Sequence, residues 1–135
     1  MTAQDTRVHW VAAIVLARAV GHVLLNVDAA NNPAIAAANE ARYTEWKAHP
    51  DAHKIYWDFI RAERNAVLKE YEQNWQFEST YVAAGDELFE LDEGLYCAIS
   101  EGPYAGADIR DALDLAIDWW EAQLDIIENL AAESV

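Results

Sequence analysis

The sequence predicts a mainly α protein: one domain of four helices, bundle-like, with a small β-hairpin or irregular insertion before the last helix. Three observations carry that expectation. The chain has 135 residues, of which 53% are hydrophobic, with only five glycines and three prolines. So much apolar side chain with so few breakers suits one packed helical domain and excludes a disordered or low-complexity chain. Apolar stretches at helical spacing are also separated by sharp punctuation, at Asn31-Asn32-Pro33, at His49-Pro50-Asp51 and at the glycines between 85 and 106.

The first helix is expected over about residues 6–27, with Asp5 or Thr6 as its N-cap. Its apolar run from Val8 to Val27 surrounds most of the helix circumference, as in a central core helix. Such a run approaches the length of a membrane span. Arg18 near its middle, with His9, His22 and Gly21, argues against the bilayer, because a buried charge there is costly. No basic leader followed by a small-residue cleavage site marks it as a signal peptide. With a single cysteine, Cys97, and so no disulfide framework, the chain suits a reducing cytoplasm.

Pro33 at a first helical position opens a second helix over 33–48, rich in alanine. The third spans about 51–75, where Tyr56, Phe59, Ile60, Ala66, Val67 and Tyr71 share one face. Leu88 to Leu91 and Leu95 to Ile99 flank Asp92-Glu93-Gly94, which reads as a hairpin over about 87–99. Upstream, Phe77 to Val82 is β-prone and Gly85-Asp86 interrupts it. The last helix, about 108–132, has an apolar stripe of Ile109, Leu113, Ala116, Ile117, Trp120, Leu124, Ile127 and Ala131.

Charge divides the chain. Residues 1–75 carry nine acids and eight bases, whereas residues 76–135 carry fifteen acids and one base, Arg110, for a net charge of −15 overall. That balance argues against nucleic-acid binding through an overall positive field, while leaving room for a local basic site. On the last helix Asp111, Asp114, Asp118, Glu121, Asp125 and Glu128 recur at spacings of three and four, which places them on one face. The face reads as a solvated surface, as a docking surface for a basic protein partner, or as a mimic of a phosphate backbone. Leu115, Trp119 and Ile126 widen the apolar arc of this helix beyond what one neighbour covers. A second layer or a partner chain is therefore expected, with Trp119 and Trp120 as anchors of a homodimer.

Chemistry-bearing residues are few. Glu63 and Glu70 fall on the apolar face of the third helix, and Arg18 is the natural partner, as a buried pair or as a polar cleft for acid/base work. His49 and His53 have an i,i+4 interval, but Pro50 breaks the helix between them, so capping and surface roles are expected and no metal site. Cys97 has no neighbouring base for nucleophilic catalysis, and no phosphate-binding glycine loop occurs, so no cofactor is expected. Arg61, Arg64 and Lys69 form the main basic cluster. Local pairing, Arg61 with Asp58 and Lys69 with Glu72, is its simplest account.

Arg64-Asn65, Lys69 and Tyr71 resemble the HEPN superfamily, all-helical proteins that often carry Arg, four residues, His, one residue and Tyr, with Asn after the Arg. Here Lys69 stands at the His position. The resemblance implies a dimer with ribonuclease-like residues facing across it, in members often paired with a nucleotidyltransferase as toxin and antitoxin. Histidine exchanges protons near neutrality and an exposed lysine does not, so this copy would be a non-catalytic RNA- or nucleotide-binding member. Three readings follow: a non-enzymatic, dimeric, cytoplasmic interaction protein with an acidic face; a HEPN-like domain using Arg64, Asn65, Lys69 and Tyr71; and an enzyme built on Arg18, Glu63 and Glu70.

Overall fold

A computed structural model describes residues 3–62, 80–91, 98–99 and 102–134. Among the described residues it is mainly helical, with four helices and a two-stranded antiparallel hairpin before the last of them. The first helix, α1, comprises an α-helical stretch Ala3–Val23, a π-helical turn Leu24–Asp28 and a final turn Ala29–Asn31. It starts at Ala3, so Asp5 and Thr6 lie inside its first turns and not at its cap. It also outruns its expected end. Through the π stretch the carbonyls of His22 and Val27 accept from the side-chain amides of Asn26 (3.0 Å) and Asn31 (2.7 Å), which holds the loosened turn together.

The second helix, α2 (Pro33–Ala48), begins where Asn32-Pro33 predicted. The Asn32 side-chain oxygen accepts from the backbone N–H groups of Ala34 (3.0 Å) and Ile35 (3.3 Å), and Pro33 needs no donor partner at that position. His49 ends α2, and a 3₁₀ turn Pro50–His53 leads into π-helical Ile55–Ile60; together these form α3. The expected extension of this helix through 63–75, with Ala66, Val67 and Tyr71, lies outside the described residues.

The hairpin sits upstream of its expected place. Strands β1 (Thr80–Ala84) and β2 (Glu87–Leu91) pair in register from Thr80↔Leu91 to Ala84↔Glu87. The turn is Gly85-Asp86, where Gly85 takes the left-handed φ of 66° that a side chain disfavours. Leu88–Leu91 is thus a strand as expected, but its partner is the β-prone segment before it, because a two-residue loop closes more tightly than the alternative. Asp92-Glu93-Gly94 and Cys97 lie outside the described residues, while Ala98 bridges Asp108.

The last helix, α4 (Ile109–Glu133), is capped by buried Asp108, which accepts from Arg110 N (2.8 Å) and holds the Arg110 guanidinium through both carboxylate oxygens, at 2.9 and 2.6 Å. Its buried line is Ile109, Ala112, Ala116, Trp120, Gln123, Ile127 and Ala131. Relative to the expected stripe the inward face is rotated slightly: Leu113 and Leu124 are half-buried, and Ile117 is exposed at 45%. One core cluster joins Trp10 and Ile14 of α1, Trp46 of α2, Tyr56, Phe59 and Ile60 of α3, and Ala116 and Trp120 of α4. A smaller one joins Leu24, Ala38, Ile127 and Ala131. Gly21 lets α1 approach α4 closely, since a Cβ there would stand 3.2 Å from the Trp120 ring.

Candidate functional site

Two regions bring polar chemistry to the packed helices. In the first, an aromatic cluster is threaded by two polar side chains. Trp46, Tyr56, Trp119 and Trp120 lie with centroids 4.7–6.1 Å apart, and Tyr56 stacks on Trp119 at 23°. The buried Gln123 oxygen accepts from Trp46 Nε1 (2.8 Å) and from Arg42 Nε (3.1 Å) and its terminal nitrogen (2.9 Å). Three donors on one amide oxygen tie α2 to α4. Trp57 Nε1 donates to the Trp46 carbonyl (3.1 Å), fixing α3 beneath the same ring.

His53 completes this cluster. It is buried and not a surface histidine, and its Nδ1 accepts from Trp119 Nε1 at 3.1 Å. Removal from water lowers its pKa below the ordinary 6.5, and the Arg42 charge lowers it further. Burial likewise raises the pKa of Tyr56. Trp119 and Trp120, expected as anchors for a partner chain, find their contacts inside this one: Trp120 is buried and Trp119 half-buried. Bulky aromatic pairs in mid-helix signal large buried area, which the chain's own core supplies as readily as an interface does.

Arg18 projects toward the same cluster, with its guanidinium carbon 5.7 Å from the centre of the Tyr56 ring. Its Nε is buried with no hydrogen-bond acceptor among the described residues. The expected partners Glu63 and Glu70 lie outside the described residues, as do Arg64, Asn65, Lys69 and Tyr71. Of the basic cluster, Arg61 is described: its guanidinium lies 5.2 Å from the Trp57 ring centre, while Asp58 stands 4.0 Å from Lys54 instead. No group of three or more His, Cys, Asp or Glu side chains is arranged to hold a metal ion among the described residues. His49 pairs with Glu45 at 3.0 Å.

The second region is the outer side of α4. Asp111, Asp114, Asp118, Glu121, Asp125 and Glu128 are all exposed there. Glu128, the last of them, also borders a cleft between α4 and the end of α1, which Asp28 borders too. Asp28, Arg42 and Gln123 were not singled out by sequence reasoning, and His53 was expected at the surface where the structure buries it. For Gln123 a signal existed, since it occupies an i+3 step in the buried period of α4. Arg42 carries none, because its partner Gln123 comes from another helix, and Asp28 carries none, because the cleft it borders is completed by other helices.

Apolar side chains also remain at the surface. On α1 these include Val8, Leu16 (66% exposed) and Val23; on α4, Leu115 (53%) and Ile126; on the hairpin, Tyr81, Val82, Leu88 and Phe89. Val8–Asn31 is long and apolar enough to cross a membrane by length and composition, with a mean hydropathy of 1.8. In this fold Trp10, Ile14, Ala17 and Leu24 on that stretch are buried. The helices and hairpin define a mainly helical, strongly acidic protein. Comparison with family models, curated proteins and solved structures finds no match.

Proposed function

We propose that the protein is a non-enzymatic, cytoplasmic interaction protein, a bundle-like single domain acting as a dimer, which offers the acidic face of α4 to a basic partner. The observation that supports this reading best is the division of α4. One side is locked into the core by Trp120, Gln123 and Ile127, and all six acids stand in water on the other. Asp114/Asp118 and Glu121/Asp125 are like-charge i,i+4 pairs, each costing a few tenths of a kcal/mol. A cationic partner removes that repulsion. The dimer reading rests on the apolar side chains left exposed on α1 (Val8, Leu16, Val23) and on α4 (Leu115, Ile126), which a partner chain would remove from water. Trp10, Ile14, Ala17 and Leu24 of α1 pack into the core. Only 24% of this apolar stretch is buried, so α1 is not the all-round core helix its composition suggests, and the rest is left for the partner chain. The packed side is the reason for reading α1 outside the membrane.

The test is binding of a lysine-rich helical peptide, followed by fluorescence anisotropy. A variant with Asp114→Asn, Asp118→Asn, Glu121→Gln and Asp125→Asn is expected to lose binding. A charge-matched control with Glu40→Gln, Asp51→Asn, Asp86→Asn and Glu87→Gln, all exposed elsewhere, is expected to keep it. Equal loss in both variants contradicts a role for the α4 face.

A further inference from the structure

Where the π turn of α1, the start of α2 and the last third of α4 converge, they leave a half-open cleft of about 430 Å³. That size falls in the range of small-molecule sites, roughly 300–1,000 Å³. Leu24, Ile35, Leu124 and Ile127 give it apolar walls, and Leu24 and Ile127 belong to the smaller core cluster, so the floor is rigid. Its charged lining is of one sign. Asp28 and Glu128, both exposed, border it, and no Lys, Arg or His lines it among the described residues. Asn31 also borders the cleft. Its Nδ2 is held by the Val27 carbonyl at 2.7 Å, which leaves Oδ1 as a further acceptor. The wall formed by Leu24, Val27 and Asp28 is the π-helical turn, a distortion that recurs at binding sites in other helices.

We infer that this cleft binds a small amphiphilic organic cation, an amine whose apolar body lies against Leu24, Ile35 and Ile127 while its ammonium group meets Asp28 and Glu128. An ammonium supplies N–H donors and a charge opposite to that of the two acidic residues bordering an apolar floor, while Asn32 on the same rim has its Oδ1 engaged in the α2 cap. An anion of the same shape meets repulsion, and a neutral molecule leaves both carboxylates unanswered. The cleft shares Glu128 with the acidic face but is otherwise built from other residues. The four acids replaced in the test of that reading do not line the cleft, so either proposal fails without the other.

The experiment is an amide NMR titration of the full chain with phenethylamine, 2-phenylethanol and 3-phenylpropanoate. Phenethylamine is expected to shift the backbone amides of Val27, Asp28 and Ile127, and to bind roughly tenfold more tightly than the alcohol. The propanoate is expected not to bind. Asp28→Asn with Glu128→Gln, both at exposed positions, is expected to erase the preference for the amine with the spectrum otherwise folded. Val27→Trp, at a half-exposed position on the cleft, is expected to block every probe. Equal binding of amine and alcohol overturns the inference, as does an amine that leaves these amides unmoved or that binds the double variant unchanged.

Discussion

The indole Nε1–H of Trp119 donates a hydrogen bond of 3.1 Å to Nδ1 of His53, joining α4 to the 3₁₀ turn that opens α3. Nδ1 accepts only in the neutral imidazole, so the proton of His53 resides on Nε2. Because burial lowers the folded pKa below 6.5, the unfolded chain binds a proton first as the pH falls. The contribution is complete above 6.5 and is lost as the pH drops from there through the lower folded value. Urea denaturation is expected to show falling stability over that interval, and His53→Phe is expected to flatten this part of the profile. An unchanged slope in His53→Phe contradicts the assignment.

Gln123 is the polar joint of the core. Replacing it by Leu leaves the buried Trp46 N–H and the half-buried Arg42 guanidinium without their acceptor. We expect Gln123→Leu to cost about 2–4 kcal/mol, against a much smaller loss for Gln123→Glu, which keeps an acceptor in place. Denaturation midpoints at neutral pH check this.

At Gly21 two effects compete. Alanine there gains about 0.5–1 kcal/mol of helix propensity. Its Cβ would lie 3.0 Å from an Arg18 nitrogen and 3.2 Å from the Trp120 ring. The arginine end can shift, but Trp120 is buried and cannot do so freely. Gly21→Ala is expected to show little or no net gain in thermal stability. Gly21→Leu is expected to lose about 1–3 kcal/mol through overpacking.

The exposed outer face of α1 gives a test of self-association. Leu16 is 66% exposed, so Leu16→Glu leaves the core intact. Light scattering after size exclusion is expected to report a dimer for the unaltered chain and a monomer for the variant. A monomeric unaltered chain contradicts the dimer.

Local signals were legible in the sequence and long-range ones were not. Asn32-Pro33 marked the start of α2 because a cap is completed within three residues by one side chain and two backbone donors. The acidic stripe was legible for a similar reason, since helical periodicity alone places Asp111 through Glu128 on one face. The hairpin was legible as an element but not in its register: Gly85-Asp86 and Asp92-Glu93-Gly94 both carry turn chemistry, and strand pairing decides between them. Gln123 sits at an i+3 step of the buried period of α4, but a glutamine reads as solvated until Arg42 and Trp46 are known to face it. The Asp28–Glu128 cleft depends on α1 and α4 meeting at their ends, which no local pattern encodes. The role of Trp119 and Trp120 could not be read either, because an interface and a core ask for the same residue type.

On the reading proposed above, the exposed acidic face of α4 receives a basic partner. The most direct measurement is the dissociation constant of a lysine-rich helical peptide as a function of salt, for the unaltered chain and for the variant neutralised at Asp114, Asp118, Glu121 and Asp125. Exposed charges are strongly screened at physiological ionic strength. The account predicts steep weakening with salt for the unaltered chain and a shallow dependence with much weaker binding for the variant. Binding of the same strength and salt slope in both would contradict it.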